Sequence, residues 1–203
     1  MRLTIVPAVI VTLACCGFTW GRPDLSTPKS AALAFAKAVD AADPEAAKAV
    51  AASDAQNQEV AVLLAELAGN RNKLREAATA KFGAEDATKM TGKSSPDEMA
   101  KQIDAAQVKE DGDSATINNK DDARNSLKLK RSNGEWKIDL GDAAKQAPFI
   151  KALGGVMADV AGEISDGKYK TADDAMSAMS TKSMMAMANI KRPTTGPATK
   201  PSK

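Results

Sequence analysis

Apolar residues in the first half of the chain recur three and four positions apart, the spacing of α-helices with one buried face. Ser26 or Thr27 before Pro28, and Asp43 before Pro44, are typical helix starts. A side-chain oxygen at such a position caps free backbone amides, and proline fits the first helical turn. The pattern therefore predicts two short helices in succession at the start of the folded region.

A longer helical run follows. From about residue 54 to 82, its apolar stripe comprises Val60, Leu63, Leu64, Leu67, Leu74, Ala78 and Phe82. Gly69 and Asn70 stand inside the run, just before Arg71 on the apolar side, so we expect a break or a helix end there. The pattern fades between 83 and 95, which predicts a loop, and a short helix should restart with Pro96 in its first turn.

Alternation of apolar and polar residues replaces the helical pattern at Ala105. Asp-Gly at 111–112 and Asn-Gly at 133–134 separate the alternating segments, and both pairs favour tight hairpin turns. The sequence therefore predicts a four-strand antiparallel meander. Its expected inward row comprises Val108, Ala115, Ile117, Leu127, Leu129, Trp136, Ile138 and Leu140, and its expected outward residues are Lys128, Lys130, Lys137 and Asp139.

Trp136 lies two residues after the second turn, in phase with Ile138 and Leu140. We therefore expect these three residues to form structural core, rather than a platform on which a ligand stacks. Burying around 200 Å² of indole at about 25 cal/mol per Å² gives roughly 5 kcal/mol as an upper figure. In a chain with 3% aromatic residues, this side chain should be a principal anchor.

Two more helices are predicted after the meander. The first follows Gly141 and Asp142 and is either broken or begun afresh at Pro148, with an apolar face of Phe149, Ile150, Leu153, Val156, Met157, Val160 and Ile164. Gly154 and Gly155 are expected to point away from that face. The second helix runs from about Thr171 to Ile190. The predicted fold class is therefore α+β, with N-terminal helices packed on a four-strand antiparallel meander and two additional C-terminal helices.

Composition favours one helix-rich domain, which we place at residues 28–190, after a linker at 17–27 and before a disordered basic tail at 191–203. The 203 residues are 43% hydrophobic, and the commonest of those residues is alanine, which favours helix and buries little area. Without Arg2 and the four basic residues of the tail, the 28 basic residues fall to 23, against 26 acidic ones. A folded part with no basic excess lacks the footprint of a nucleic-acid-binding protein.

Residues 1–16 have the features of a secretory signal peptide: one positive charge, an apolar run from Leu3 to Ala14, and small residues after it. A membrane-spanning helix needs roughly 20 apolar residues, which this run reaches only if it extends through Phe18 and Trp20. We therefore expect a bacterial protein that is exported to the periplasm or the extracellular space.

Cys15 and Cys16, the two cysteines of the chain, end this run in the sequence TLACC. The sequence resembles the processing box of bacterial lipoproteins, in which a cysteine receives the lipid. Cys16 has Leu13 and Ala14 in the expected places but a cysteine before it, whereas Cys15 has Thr12 where leucine is expected. Both are lipid-anchor candidates, and the alternative is two ordinary apolar residues of the signal. Cleavage at or beyond this point would leave no thiol pair for a disulfide or a zinc site.

Two stretches resemble exported members of the nuclear-transport-factor-like superfamily, a cystatin-like α+β cone fold. The residues that carry the resemblance are Pro28, Ala31, Ala32, Phe35, Ala38, Ala41, Ala42 and Asp43 in the first helical run, and Gly134, Trp136 and Ile138 in NGEWKIDL. The resemblance covers about residues 26–141. Relatives such as ketosteroid isomerase, scytalone dehydratase and limonene-epoxide hydrolase seat acids, histidines or tyrosines inside the cone. This chain has no histidine, and its one tyrosine, Tyr169, lies outside that part, so no catalytic residue is carried over.

Metal binding is the other chemistry that the sequence raises. Met176, Met179, Met184 and Met187 are weak candidates for Cu(I), which thioethers suit. Three of them share one helical face with Ile190 and the fourth lies at its edge, which favours core packing or, less strongly, a partner-binding face. Acid pairs such as Asp111 with Asp113 begin like a calcium loop, but the closing glutamate is missing. We expect no metal and no cofactor.

Two functions from different classes remain open. The first is a non-catalytic exported protein that binds an envelope component or a small apolar ligand through its cone-like domain, with a lipid anchor as its only membrane contact. The second is a cone-fold enzyme in which a single acid, Asp104 or Asp139, transfers a proton. We favour the first, because alternation sends Asp139 outward and the chain lacks partner groups. A buried carboxylate with a raised pKa in a pocket on the sheet would favour the second.

Overall fold

The computed structural model describes residues 23–93, 96–119 and 122–190, and the side chains of all of these except 96, 119 and 122–125. The predicted signal peptide at 1–16, with Cys15 and Cys16, lies outside these residues, as do the predicted tail at 191–203 and most of the linker. In the described part of the chain, no helix is long and apolar enough to cross a membrane.

The described residues form an α+β fold, which confirms the predicted class. The helices are α1 (Pro28–Asp40), α2 (Pro44–Val50), α3 (Ala55–Phe82), α4 (Ala84–Thr91), α5 (Pro96–Ala105), α6 (Ala147–Ser165) and α7 (Ala172–Asn189). The strands are β1 (Gln107–Asp111), β2 (Ser114–Asn119), β3 (Asp122–Ser132) and β4 (Glu135–Asp139). They pair antiparallel in the order β1-β2-β3-β4, and a single turn of 3-10 helix at Ala143–Gln146 leads into α6.

The predicted starts of α1 and α2 are confirmed. Thr27 caps α1 by accepting a hydrogen bond from the backbone N–H of Ser30, whose hydroxyl in turn accepts one from the N–H of Thr27. Asp43 caps α2 by accepting from the N–H of Ala46 at 3.0 Å. These side chains satisfy amides that the first turn of a helix leaves free.

The predicted break at Gly69 and Asn70 is wrong, because α3 is one continuous helix of 28 residues. Glycine at 69 instead allows α3 to lie close to the turn between α1 and α2. A Cβ built on Gly69 would lie 3.2 Å from the Cβ of Ala42 in that turn. Arg71 tolerates its place on the apolar side because its guanidinium forms an ion pair with Asp40 at 3.7 Å.

The loop predicted between 83 and 95 is also wrong, since α4 occupies eight residues of it. Gly83 and Gly92, with φ of 94° and 75°, flank this helix and supply backbone conformations that other residues rarely adopt. Ala87 and Met90 are buried on one side of α4, while most of its remaining residues are polar. A two-residue apolar face is too short to produce a clear period in the sequence.

The sheet follows the predicted alternation. Asn133 and Gly134 both have positive φ, as a two-residue hairpin turn of the mirror-image type requires, and Leu129 of β3 lies opposite Ile138 of β4. The backbone N–H of Trp136 donates to the carbonyl of Leu25 at 2.8 Å, which ties the segment before α1 to the start of β4.

Two clusters of buried side chains stabilise the fold. The first, which we call the sheet core, lies between the sheet and α1, α2 and the first half of α3; its larger members are Leu25, Phe35, Val50, Val60, Ile117, Leu129, Trp136, Ile138, Leu140 and Ile150. The second, the helical core, lies between the second half of α3 and α4, α6 and α7; its members include Leu74, Ala87, Met90, Val156, Val160, Ile164 and Ala175. Helix α3 runs through both cores and joins them.

The prediction that Gly154 points away from the apolar face of α6 is wrong. Gly154 is buried, and a Cβ built on it would lie 3.4 Å from Nδ2 of Asn70 and 3.8 Å from Cδ1 of Leu67. It therefore lies where α6 crosses α3, at the boundary between the two cores. Gly155 is exposed, with nothing within 4 Å of its Cβ position, as the sequence predicts.

Candidate functional site

An open groove of about 530 Å³ lies between α1 and α2. Its lining residues are Pro23, Asp24, Ser30, Leu33, Ala34, Lys37, Ala38, Ala46, Ala49 and Val50. Ala38 and Val50 are buried members of the sheet core, whereas Leu33, Ala34 and Ala46 are half-buried and Ala49 is exposed. The groove is therefore an apolar surface with a rigid floor, open to solvent on one side.

Small side chains produce this groove. Four of its lining residues are alanines, which favour helix but reach little beyond the backbone of α1 and α2. The opposite face of α1 is anchored because Ala31 and Phe35 are buried against the sheet core. With α1 packed there, the small side chains of the alanines on α1 and α2 leave the space between the two helices unfilled.

The polar side chains of the groove differ in what they bind. The carboxylate of Asp24 accepts hydrogen bonds from the N–H of Ser26 at 3.0 Å and from its hydroxyl at 2.7 Å, and these two bonds hold the pKa of Asp24 below its usual value. The Ser30 hydroxyl takes part in the capping box of α1. The Lys37 ammonium, by contrast, makes no hydrogen bond or ion pair with any residue of the described part of the chain.

The inner face of the sheet is filled by the predicted row. Trp136 and Ile138 are 2% and 0% exposed, and Leu140 is buried beside them. Arg131 covers the indole, with its guanidinium carbon 5.6 Å from the ring centroid. Because Trp136 is enclosed on its remaining sides by the sheet core, no face of the indole is left on which a ligand could stack.

Asn57 is the only buried polar or charged side chain among those that the structure describes. Its amide oxygen accepts a hydrogen bond from the N–H of Leu140, and its Nδ2 donates to Asp54 at 2.6 Å. Asp54 also accepts from the N–H of Asn57 and so caps α3. These bonds connect the start of α3 to the end of β4 and give both polar atoms of a buried amide a hydrogen-bond partner, as stability requires.

The two acids considered for proton transfer do not lie in the sheet core. Asp104 is exposed, near the end of α5. Asp139 lies on the outer face of the sheet, where partial burial opposes its ionisation, but hydrogen bonds from Lys130 at 2.8 Å and from the N–H of Gly141 at 3.1 Å outweigh that effect. The pKa of Asp139 is therefore lowered, which keeps it ionised at neutral pH rather than ready to donate a proton.

A second pocket, of about 480 Å³, lies outside the sheet near the turn between β3 and β4. Lysines line it, but each binds within the protein: Lys130 pairs with Asp139, and Lys137 pairs with Glu135 at 3.3 Å and donates to the carbonyl of Ala49 at 2.8 Å. These internal pairs engage both lysines, and Arg131, which also lines the pocket, lies over the Trp136 ring, so the arrangement favours a structural role for these residues.

The four candidate methionines divide between core and surface. Met176 and Met179 are half-buried against the helical core, as the packing interpretation predicts. Met184 and Met187 are 62% and 46% exposed, so core packing is wrong for Met187. Within the described residues, no group of three or more Asp, Glu, Cys or His side chains could hold a metal ion.

One further ionic cluster lies at the edge of the helical core, where α6, the turn after it and α7 meet. The carboxylate of Glu163, on α6, accepts hydrogen bonds from the Tyr169 hydroxyl at 2.5 Å, from Lys182 at 2.9 Å and from Lys168 at 3.0 Å. These bonds lower the pKa of Glu163 to about 2, and burial with the bond to Glu163 raises the pKa of Tyr169 to about 12. The cluster fastens the turn after α6 to α7.

No protein-family model, curated protein or solved structure matches the chain. The groove between α1 and α2 is the feature that sequence reasoning missed. Its signal lies in Ala34 and Ala38 on α1 together with Ala46 and Ala49 on α2, because small residues on two neighbouring helices leave unfilled space between them. That signal becomes meaningful only when the packing of α1 on the sheet is known.

Proposed function

We propose that the protein is an exported, non-catalytic binding protein of the nuclear-transport-factor-like superfamily, which holds a small apolar ligand between α1 and α2. The observation that carries the proposal is the open apolar groove of about 530 Å³. This volume lies within the range of roughly 300 to 1,000 Å³ that is typical of small-molecule sites. The proposal places the ligand beside the helices rather than inside the cone.

The lining supports binding by burial of apolar surface. Leu33 and Val50 provide aliphatic contacts, and the alanines between them leave room for a ligand to approach the helix backbones. Each methylene group that such a ligand buries contributes about 0.8 kcal/mol. Because the floor of the groove belongs to the sheet core, the site is preformed, and little ordering free energy opposes binding.

The positions of Asp104 and Asp139 favour a binding protein over a proton-transfer enzyme. A catalytic acid in a cone would need to reach a ligand held against the inner face of the sheet, and that face is occupied by Trp136 and Ile138. Asp139 lies on the other face, with a lowered pKa. Neither acid has the surroundings that raise the pKa of a general acid.

A lipid anchor would hold the groove near a membrane. Cys15 and Cys16 are the proposed sites, and Pro23 at the groove lies seven residues after Cys16. Seven residues span at most about 25 Å when fully extended. Anchored in this way, the protein would meet apolar ligands or envelope components at the membrane surface.

Fluorescence titration with N-phenylnaphthylamine, an uncharged apolar probe, tests the proposed site. We expect saturable binding to the wild-type protein and at least fivefold weaker binding to Leu33→Ser and to Ala49→Phe, because these changes remove or fill apolar contact area without altering a buried residue. Leu153→Ser, a half-buried position on α6, is the matched control and should bind as tightly as the wild type.

Two results would contradict the proposal. One is absence of saturable binding to the wild-type protein. The other is equal affinity of the wild type, Leu33→Ser and Ala49→Phe, which would place the probe elsewhere on the molecule.

A further inference from the structure

The two charged side chains of the groove, Asp24 and Lys37, differ in whether they already have partners within the protein. This difference indicates which class of ligand the groove would bind. Asp24 uses its carboxylate to bind the backbone and hydroxyl of Ser26. Lys37, on the other hand, has no partner among the described residues and is exposed, although its side chain lines the groove. A ligand can therefore approach an ammonium that has no partner in the described part of the chain, whereas the carboxylate of Asp24, which remains negatively charged, already accepts two hydrogen bonds.

The acids near Lys37 are also engaged. Asp40 lines the adjoining crevice with Lys37, and it forms the ion pair with Arg71 at 3.7 Å. Asp43, which follows the end of α1, accepts the capping hydrogen bond of α2 from Ala46 at 3.0 Å. The ion pair with Arg71 offsets the charge of Asp40, and the carboxylate of Asp43 is engaged at the start of α2. Neither carboxylate forms an ion pair with Lys37, so its ammonium can attract a negative group from outside the protein.

The groove has a charged side chain at one position and apolar side chains beside it, so it can bind the charged head and the apolar chain of an amphiphile at different positions. Ser30 and Lys37 are seven residues apart on α1, which corresponds to about 10 Å along the helix axis. The apolar side chains of Leu33 and Ala34 lie between these positions. An alkyl chain can therefore lie along α1 while its charged end meets Lys37.

We propose that the ligand is a single-chain amphiphile with a carboxylate head, bound with the head at Lys37 and the chain along α1 toward Ser30 and Pro23. The inference rests on the proposed function and adds the chemical class of the ligand and its direction. Lys37 is exposed, so the carboxylate contributes a modest preference of a few fold, and burial of the alkyl chain supplies most of the affinity.

Calorimetric titration with three probes that share one alkyl chain tests this inference. The probes are decanoate, decyl maltoside and decyltrimethylammonium, each used below its critical micelle concentration with the purified full chain. We expect the wild-type protein to bind all three, with decanoate about three- to fivefold tighter than decyl maltoside and decyltrimethylammonium the weakest.

Lys37→Glu should reverse this order. We expect it to weaken decanoate about fivefold, strengthen decyltrimethylammonium by a similar factor and leave decyl maltoside within twofold of the wild type. Lys151→Glu, at an exposed position of α6 outside the groove, is the matched control and should preserve the wild-type order. High salt should reduce the preference of the wild type for decanoate.

The outcomes separate the two proposals. Equal binding of the three probes, or an order that Lys37→Glu leaves unchanged, would overturn the carboxylate preference while leaving the groove as an apolar site. Failure of every probe to bind would overturn both. Binding that appears only after Phe18→Ser and Trp20→Ser are introduced together would show that the chain's own N-terminal aromatics occupy the groove, and would also overturn both.

Discussion

The sheet core and the helical core use alanine in different ways. In the sheet core, alanines of α1 such as Ala31 are buried in one cluster with large side chains, among them Trp136 of the sheet. In the helical core, the helices themselves supply the large side chains, Leu74 from α3 and Val160 and Ile164 from α6, and alanines pack among them. The groove lies where large side chains do not fill the space, because alanines of α1 face alanines of α2. Alanine-rich helices fill the space between them and a neighbouring element only where that element has large side chains.

The largest expected effect is on the sheet core. Trp136→Ala should lower the free energy of unfolding by about 3 to 5 kcal/mol, because it removes the largest fully buried side chain of the described residues and leaves a cavity. Leu74→Ala, at an equally buried position of the helical core, should lower it by about 2 to 5 kcal/mol. Urea denaturation monitored by circular dichroism measures both.

Native-state hydrogen exchange then shows whether the two cores unfold together. Since α3 passes through both, we expect each substitution to reduce amide protection in the sheet and in α6 alike. Loss of protection confined to one core would mean that α3 does not couple them. A change of less than 1 kcal/mol for Trp136→Ala would show that the indole is not the anchor of the sheet core.

Asn57→Ala tests the polar link at the edge of the sheet core. The change leaves the N–H of Leu140 without its side-chain acceptor, so we expect a loss of about 1 to 3 kcal/mol in the free energy of unfolding. Asn72→Ala is the matched control, because the amide of Asn72 makes one long hydrogen bond, of 3.5 Å, to the carbonyl of Asp40. Equal losses for the two variants would contradict the role of Asn57.

Gly154→Leu tests the boundary between the cores. A leucine there would have to displace Asn70 and Leu67 of α3, and overpacking of this kind typically lowers the free energy of unfolding by about 1 to 3 kcal/mol. Gly155→Leu, one position away but facing open space, should be neutral or stabilise the helix slightly. The comparison fails if both substitutions have the same effect in thermal denaturation.

The smallest expected effect is on the ionic cluster of the helical core. Hydrogen bonds from Tyr169, Lys182 and Lys168 lower the pKa of Glu163 from 4.5 to about 2, so its contribution to stability is present above pH 4.5 and is lost as the pH falls toward 2. Glu163→Gln should therefore have a slightly lower melting temperature than the wild type at pH 7 and an equal one near pH 2.

Glu76→Gln, at an exposed position of α3, serves as the control and should match the wild type at both pH values. A difference between Glu163→Gln and the wild type that persists near pH 2 would contradict the cause assigned to it. A difference absent at pH 7 would show that the hydrogen bonds of the cluster do not contribute to stability.

Local patterns were sufficient to predict the sheet. Alternation placed Trp136, Ile138 and Leu140 on one face, and an Asn-Gly pair determines its own turn by adopting two positive φ angles. The caps at Thr27 and Asp43 were predictable for the same reason, since the residues that make the hydrogen bonds lie within three positions of one another.

Features that depend on two distant segments were not predictable. In the sequence, Gly69 resembles a helix end, but a glycine fits there because the Cβ of Ala42, in the turn between α1 and α2, lies close to it. Gly154 is buried because it packs against Asn70 and Leu67 of α3. The groove has the same origin, because it requires α1 and α2 to be neighbours with alanine on both sides. A periodic pattern identifies the buried face of a helix but contains no information about the residue that the face will meet.

The most direct test of where a ligand binds is a map of backbone amide shifts as decanoate is titrated into isotope-labelled protein. We predict shifts that saturate and concentrate on α1 and α2, with Leu33, Lys37 and Ala49 among the largest, and no change at Trp136. Shifts centred on Trp136 and Ile138 would instead place the ligand under the sheet, and would contradict both the closed inner face and the groove as the binding site.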